Sequence, residues 1–422
     1  MAGNTGGTQY AGGGPHPWLE SIKEELQVLA PLSSSSIWKV PLTLRTVNEE
    51  AYMPRMISIG PLHYGKWDLQ SMEVHKLYYM SSLLQRTPNA VQVLEEAGAA
   101  IESLEPVVRA SYSESFDLEP SELAKMLMLD GCFILELFLR DGLQDLRLQD
   151  DPIFNTSWMV LTLARDLALL ENQIPFVVLE RLFEFVVVPS AIGHSLPALP
   201  ELSLSFFSSV LYMDIGDTRA SRRQFPHLLG LIYNSYIPSP RTEARGNGSG
   251  RVFIRSASAL KRAGIQFRKS IGTSLFDLKF HNGVLQIPPL FIHESSASVF
   301  WNLIAYEQIF HDKMQYVTSY FSLMARLVNS SDDAELLESR GILLDSLGGP
   351  RDVPQLFEQI CRHVVLKDFY YAQLCEEMNP YYKWKSYRPT KPWTLISIVA
   401  SFILLALVSL HAIYTVLSYY GD

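Results

Sequence analysis

Carboxylates placed inside strongly apolar segments are the residues of this sequence with the clearest potential for chemistry. They are Asp130, Glu136, Asp166, Glu171, Glu180 and Glu307. Burial raises the pKa of a carboxyl group, and a pair of such groups is suited to general acid–base catalysis. One hypothesis is therefore a hydrolase that uses two residues of the set Asp130, Asp166, Glu171 and Glu307 in a cleft between helices.

A structural role explains the same carboxylates. Arg140 follows Glu136 by four residues, which places the two side chains on one face of a helix. Arg165 adjoins Asp166, and backbone N–H groups or helix ends would satisfy the others. We favour this interpretation over catalysis.

The sequence lacks the common catalytic and cofactor motifs. The chain contains no phosphate-binding glycine loop, no dinucleotide fingerprint, no nucleophile elbow and no H-E-x-x-H zinc motif. His63, Glu73 and His75 are metal-ligating residue types, but their spacing is not that of a helical pair and no fourth ligand follows. We predict neither a metal nor a cofactor, and the sequence favours a non-enzymatic protein.

Composition excludes several classes of protein. The chain has 422 residues, 48% hydrophobic and 19% charged, which rules out a wholly disordered or coiled-coil protein. Cys132, Cys361 and Cys375 are too few for a disulfide scaffold. The net charge of −9 argues against nucleic acid as a partner.

One stretch, residues 218–272, has the opposite charge. It carries nine arginines and two lysines against Glu243, so the remainder of the chain is strongly acidic. The functional interpretation is a cationic surface for anionic lipid headgroups or an acidic protein partner, and the alternative is a solvated loop with ordinary charges. The binding candidates are Arg219, Arg222, Arg223, Arg241 and Arg245.

Apolar periodicity predicts a mainly α fold with a small β-hairpin. Helical patterns cover residues 67–86, 121–140, 158–172, 175–188, 256–263, 298–327 and 353–378. The hairpin is predicted around Asn282-Gly283, which suits a two-residue turn. Residues 1–36 form a Gly-rich N-terminal tail whose first part is disordered by composition, and residues 37–390 form a globular region with room for two lobes. Prolines and a Gly-rich run make residues 189–250 a mobile segment.

The C-terminal region predicts a transmembrane helix. An uncharged stretch begins at Trp393 and ends at Leu417, followed by the tail 418–422. Its 25 residues would extend about 37 Å as a helix, enough to cross a bilayer. Four basic residues precede it: Lys383, Lys385, Arg388 and Lys391. The positive-inside rule therefore predicts that the large domain faces the cytosol. Together with the position of the span, this predicts a tail-anchored, single-pass protein of the plasma membrane or endomembranes. Glycosylation sequons at Asn155, Asn247 and Asn329 are the evidence against that orientation.

Six sequence blocks resemble, in order, those of the plant domain-of-unknown-function 247 family. The N-terminal block is IWKVPLTLRTVNEEAYMPRMISIGPLHYG with MEVHK, followed by MLMLDGCFILELF and RDLALLENQIPFVVLERLF. SALKRAGIQF, GVLQIPPL and NLIAYEQ complete the set. Tyr64 departs from the pattern, because many members carry a second histidine there. The blocks also have a physical interpretation, in which Asp130 and Glu171 anchor buried helices by hydrogen bonds.

This resemblance implies a membrane-associated plant protein with one C-terminal span and no established catalytic mechanism. It also implies a recognition role for part of the family, since some grass members are linked to self-incompatibility. Our leading hypothesis is a non-enzymatic recognition or signalling component that is anchored in a membrane and binds an unknown protein partner. The alternative is the membrane-tethered hydrolase.

Overall fold

The computed structural model describes residues 17–28, 35–186, 196–211, 224–237, 254–270, 274–310, 314–349, 351–386 and 392–420. These residues are mainly α-helical with a few short strands, as the sequence predicts. The helices are α1 (Pro17–Val28), α2 (Leu42–Arg45), α3 (Ser71–Gln85), α4 (Ala90–Ser103), α5 (Glu105–Ala110), α6 (Pro120–Gly142), α7 (Ser157–Leu167), α8 (Phe176–Val186), α9 (Leu199–Leu211), α10 (Leu228–Tyr236), α11 (Ala257–Arg262), α12 (Glu294–Ile309), α13 (Tyr316–Leu327), α14 (Ser331–Glu338), α15 (Asp352–Ile360), α16 (Ala372–Ser386) and α17 (Pro392–Tyr420).

Helix α6 lies at the centre of the first half of the fold and packs against α3, α4, α8 and α9. Pro120 occupies its first turn, and a reciprocal pair of bonds between Glu119 and Glu122 caps its N-terminus. From Leu123 onwards nearly every side chain is buried, as expected for a helix that is apolar all round. Gly131 lets α8 approach closely, because a Cβ atom there would lie 2.3 Å from Cδ1 of Leu182.

Two small sheets belong to the second half of the chain. The predicted hairpin is confirmed: β2 (Lys279–His281) pairs antiparallel with β3 (Val284–Ile287) across Asn282 and Gly283, both of which have positive φ. Strand β1 (Gln266–Lys269) adds parallel to the other side of β3, in the order β1-β3-β2. Strands β4 (Leu290–Ile292) and β5 (Leu343–Asp345) form a separate parallel pair. The sequence pattern did not predict β1, β4 or β5.

Two predicted long helices are each divided in the structure. The region 298–327 contains α12 and α13, and the region 353–378 contains α15 and the start of α16. The first division is stabilised by Glu307, whose carboxylate accepts the N–H groups of Val317 and Thr318 at the start of α13. Helix α12 packs on α7 as well as on α13, so the second half of the chain is joined to the first.

Candidate functional site

The catalytic candidates lie among polar groups that fix residues 35–66, which we call the N-terminal segment, to the helical core. Asp166, at the end of α7, has no exposed surface. Its Oδ2 atom accepts the N–H groups of Arg55, Met56 and Ile57 at 2.9, 2.7 and 3.2 Å. Its Oδ1 atom lies 2.6 Å from the guanidinium of Arg165, which confirms the predicted pairing. Burial raises the pKa of Asp166, although Arg165 and the three N–H groups oppose that shift.

Asp130 fixes the same segment from α6. One carboxylate oxygen accepts the N–H of Gly60 at 2.8 Å, and the other lies 2.6 Å from the ammonium of buried Lys76. Gly60 has φ of +75°, and a Cβ atom there would lie 2.3 Å from the carbonyl oxygen of Gln173, so this position requires glycine. Burial raises the pKa of Asp130, and Lys76 opposes the shift.

Glu171 contacts the beginning of the N-terminal segment. Its Oε1 atom accepts the N–H of Val40 at 2.6 Å and forms an ion pair with Arg45. The next residue, Asn172, accepts the N–H of Ile59 at 2.7 Å and donates to the carbonyl of Ile57 at 3.0 Å. The prediction that Asp130 and Glu171 anchor buried helices by hydrogen bonds is therefore confirmed.

Glu307 lies elsewhere, at the junction of α12 and α13. Its two oxygens accept the N–H groups of Val317 and Thr318 at 2.9 and 2.7 Å. Burial raises the pKa of this carboxyl group, and those two hydrogen bonds oppose the shift. The fold thus brings Asp130, Asp166 and Glu171 to one segment and leaves Glu307 at another place.

None of the four carboxylates is more than 4% exposed, and each already bonds backbone N–H groups or a cation. A substrate would have to enter the core and replace those partners before it reached a carboxylate oxygen. The arrangement is suited to stabilising a fold and is poorly suited to acid–base catalysis.

A second buried network involves residues that the sequence pattern only partly indicated. Arg140 contacts Glu136 at 2.7 Å, as the spacing predicts. The network also includes ion pairs of Arg140 with Asp151 and of Arg86 with Glu136, and the hydroxyl of Tyr79 donates to Asp151 at 2.9 Å. Local spacing carried no signal for these additional partners, because they lie in other elements.

The residue types that suggested a metal do not converge. Among the described residues, His63 is buried with no hydrogen-bond partner on either ring nitrogen, and burial together with the nearby cations lowers its pKa to about 3. Glu73 pairs with Lys76 at 2.6 Å. Across the described ranges, no group of three His, Cys, Asp or Glu side chains is arranged to hold a metal ion.

The predicted basic surface is only partly described. Arg219, Arg222, Arg223, Arg241 and Arg245 lie outside the described residues. The C-terminal part of the same basic stretch lines a cavity of about 710 Å³ between β1 and the ends of α11 and α14. Its cationic lining residues are Lys261, Arg268, Lys269 and Arg340. Arg340 comes from a distant part of the sequence and was not predicted.

The predicted membrane span corresponds to α17. The part Ile396–Leu417 has a mean hydropathy of 2.5, and none of its most apolar window is buried against the rest of the chain. By length and composition it is able to cross a membrane. Leu417 is exposed, and Trp393 lies in the first turn of the same helix.

Comparison with known proteins gives relatives of undefined function. The profile of the family DUF247, described as plant protein of unknown function, matches residues 37–407. The chain is 30% identical to UPF0481 protein At3g47200 of Arabidopsis thaliana, covering 92% of this chain and 88% of that protein. It is 21% identical to putative UPF0481 protein At3g02645 of the same plant, covering 89% of each. No solved structure matches the chain significantly.

Proposed function

The chain belongs to the plant DUF247 family, whose function is unknown, and from that premise we propose that it is a membrane-anchored, non-enzymatic recognition or signalling component. Helix α17 is its single-pass anchor, and the large α-rich part faces the cytosol. The observation that carries this proposal is the exposure of α17: a long apolar helix with no buried side chain in its most apolar window requires another apolar environment, and a bilayer supplies one.

The absence of charge in α17 supports insertion. From Pro392 to Tyr420 the helix contains no Asp, Glu, Lys or Arg, so no charged side chain has to be desolvated at the bilayer centre. The basic residues Lys383, Lys385, Arg388 and Lys391, which precede the helix, support a cytosolic position for the globular part.

The chemistry of the interior weakens the alternative hydrolase. The carboxylates that were catalytic candidates bond the protein's own backbone and cations. No described feature favours the alternative hydrolase, which needs accessible carboxylates in a cleft. The surface chemistry that remains for a partner includes the cationic cavity.

Insertion is tested by placing charge at the centre of α17. Leu404 and Leu405 are 66% and 65% exposed, so substituting them does not remove contacts with the described globular part. Each arginine at a membrane centre costs about 3 kcal/mol. We expect the double variant L404R/L405R to be extracted from membranes by alkaline carbonate, whereas wild type stays in the membrane pellet.

The matched control is L404I/L405I, which keeps the helix apolar and should remain in the pellet. Circular dichroism of both variants verifies that the globular part is folded. Extraction of wild type by carbonate would refute the anchor.

A further inference from the structure

We propose that the cavity between β1, α11 and α14 is a binding site for a phosphate-bearing ligand, with a phosphorylated lipid headgroup of the same membrane as its source. This inference deepens the proposed function and rests on it for the source of the ligand. The cavity chemistry itself depends only on the globular part of the chain.

Four cationic residues line the cavity. Lys261 lies in the last turn of α11, Arg268 and Lys269 belong to β1, and Arg340 follows α14. None of the four has an ion-pair partner within the described parts of the chain, whereas many other cations of the fold are paired. Lys261, Lys269 and Arg340 place like charges at one cavity, and a multiply charged anion reduces their repulsion. Arg268 points to the opposite face of β1 from Lys269, because successive strand residues alternate.

The fold holds these cations in place from three directions. Asp333 of α14 accepts the N–H of Ser258 in α11 at 2.7 Å and the hydroxyl of Ser330 at 2.8 Å, which joins the two helices. The stem of Lys269 lies over Gly341, where a Cβ atom would be 3.7 Å from its Cδ. The cationic groups therefore belong to elements whose relative positions are fixed by buried contacts.

Size and lining agree with a phosphorylated headgroup. The volume of about 710 Å³ lies within the range of small-ligand sites, about 300–1,000 Å³. Ile265, Phe267 and Leu336 are buried and supply an apolar lining, and Lys261, Lys269 and Arg340 line the same cavity. A sugar or inositol ring on this lining would present its phosphates to the guanidinium and ammonium groups, which are the side chains that bind phosphate in proteins.

The position of the cavity relative to the proposed anchor favours a membrane source. Strand β2, at the opposite edge of the same sheet, contacts α16. Two strand spacings, about 10 Å, separate β2 from β1. Helix α16 ends at Ser386 and α17 begins at Pro392, and the connection between them spans at most about 20 Å. Helix α16 itself adds about 22 Å for its 15 residues. The anchor therefore keeps the cavity near one membrane, which favours headgroups of that membrane as ligands.

An acidic peptide is the competing ligand, because β1 is an edge strand to which an extended segment would be able to add. Strand addition uses a linear row of backbone groups. In this protein β1 has only four residues, and the cations converge from three elements on one cavity. The geometry therefore favours a compact anion.

The test measures binding of inositol trisphosphate to the full chain in phosphatidylcholine nanodiscs by isothermal titration calorimetry. The cavity variant is K261A/K269A/R340A. Loss of three exposed charge contacts should weaken binding by about 10- to 100-fold. The control variant K125A/R351A/K367A removes the same net charge from exposed positions that do not line the cavity, and its affinity should change by less than about twofold.

A second measurement distinguishes a lipid headgroup from a soluble phosphate compound as the ligand. In nanodiscs that also contain phosphatidylinositol phosphate, a headgroup bound in the cavity should compete with the soluble probe and weaken its apparent affinity in wild type but not in the cavity variant. An unchanged affinity would refute the membrane as the source. Equal weakening in cavity and control variants, no binding of the probe, or binding of a poly-glutamate peptide in its place would overturn the site.

Failure of the anchor and failure of the site give different results. A chain that does not insert is extracted by carbonate, and the same probe is then titrated with the chain in detergent. An inserted, folded chain that binds no trisphosphate refutes the site alone.

Discussion

Replacement of Asp166 provides the sharpest test of the structural role assigned to the buried carboxylates. This side chain has no exposed surface and holds three consecutive backbone N–H groups of the N-terminal segment with one oxygen, while the other contacts Arg165. In the variant D166N, the amide oxygen is able to keep the three N–H contacts. The amide nitrogen would then face a guanidinium, so the variant removes mainly the ion pair.

The expected magnitudes follow from those contacts. Breaking a buried ion pair by removing one partner costs about 3–5 kcal/mol, so D166N should lose about that much free energy of unfolding. The variant D166A also leaves the N–H groups of Arg55, Met56 and Ile57 without an acceptor, and each buried unsatisfied donor costs about 1–3 kcal/mol. Because folded domains are stable by only about 5–15 kcal/mol, D166A should be largely unfolded.

The assay is equilibrium denaturation of the full chain in detergent, followed by tryptophan fluorescence. Trp301 is a suitable reporter, because it is 2% exposed and packs edge-on against Tyr52 of the N-terminal segment at 6.2 Å between ring centroids. The control D150N changes an exposed aspartate and should alter the free energy of unfolding by less than about 0.5 kcal/mol. Unchanged or increased stability of D166N would refute the structural role, because carboxylates kept for catalysis often reduce stability.

Two further predictions concern backbone geometry and pH. Gly60→Ala should be destabilising by at least about 2 kcal/mol more than Gly65→Ala. Both glycines have positive φ, but only at Gly60 would the new Cβ meet a backbone oxygen, that of Gln173, whereas nothing lies within 4 Å of a Cβ at Gly65. Equal shifts of the melting temperature in the two variants would contradict this explanation. Burial would raise the pKa of Asp333, but the N–H and hydroxyl groups that it accepts outweigh burial and hold its pKa below the ordinary value. This carboxylate therefore stabilises the fold above about pH 4, its unfolded pKa, and loses that effect as pH falls through the lower folded pKa. The stability difference between wild type and D333N should therefore shrink below pH 4 in acid titrations of unfolding, and a constant difference would show that the hydrogen bonds do not depend on ionisation.

Apolar patterning was sufficient to predict the helical core, and the reason is visible in α6. Apolar side chains lie on every face of this helix, so burial on nearly all sides is the stable outcome, and residues 130–140 are all buried. The hairpin was predictable for a similar local reason, since Asn282 and Gly283 supply the two positive φ angles of its turn.

Partners that are distant in the sequence were not predictable. The role of Asp130 and Glu171 as anchors followed from their position in buried helices, but the groups they bind are backbone N–H groups of Gly60 and Val40, which no side-chain type identifies. Strand β1 was missed because its partner β3 lies beyond the hairpin turn. The division between α12 and α13 depends on the N–H groups that Glu307 accepts, and no glycine or proline indicates it in the sequence.

The cationic cavity illustrates the same limit. Net charge predicted a basic surface in residues 218–272, and Lys261, Arg268 and Lys269 belong to that stretch. Arg340 completes the cavity because Asp333 holds α14 against α11. Charge counting therefore predicts the chemistry of such a site, whereas its residues become known only from the packing of the helices.

Contacts with the core also explain why the sequence of residues 45–66 carries only weak helix signals. The segment contains short turns, with Asn48 capping the 3-10 turn Glu49–Ala51 by accepting the N–H of Ala51. Between residues 55 and 60, five N–H groups bond side chains of α6, of α7 and of Asn172, which follows α7. Contacts with the core therefore set the conformation of this part of the segment.

Protease protection of the full chain in sealed microsomes tests membrane anchoring by α17 and the cytosolic orientation together. Trypsin is unsuitable, because residues 392–422 contain no lysine or arginine and remain intact whether or not they are inserted. Proteinase K digests any accessible peptide. A cytosolic domain anchored by α17 predicts that an N-terminal tag is digested without detergent while a fragment containing Ile396–Leu417 stays in the membrane pellet. Protection of the tag would contradict the cytosolic orientation, and complete digestion of the apolar fragment would contradict membrane anchoring itself.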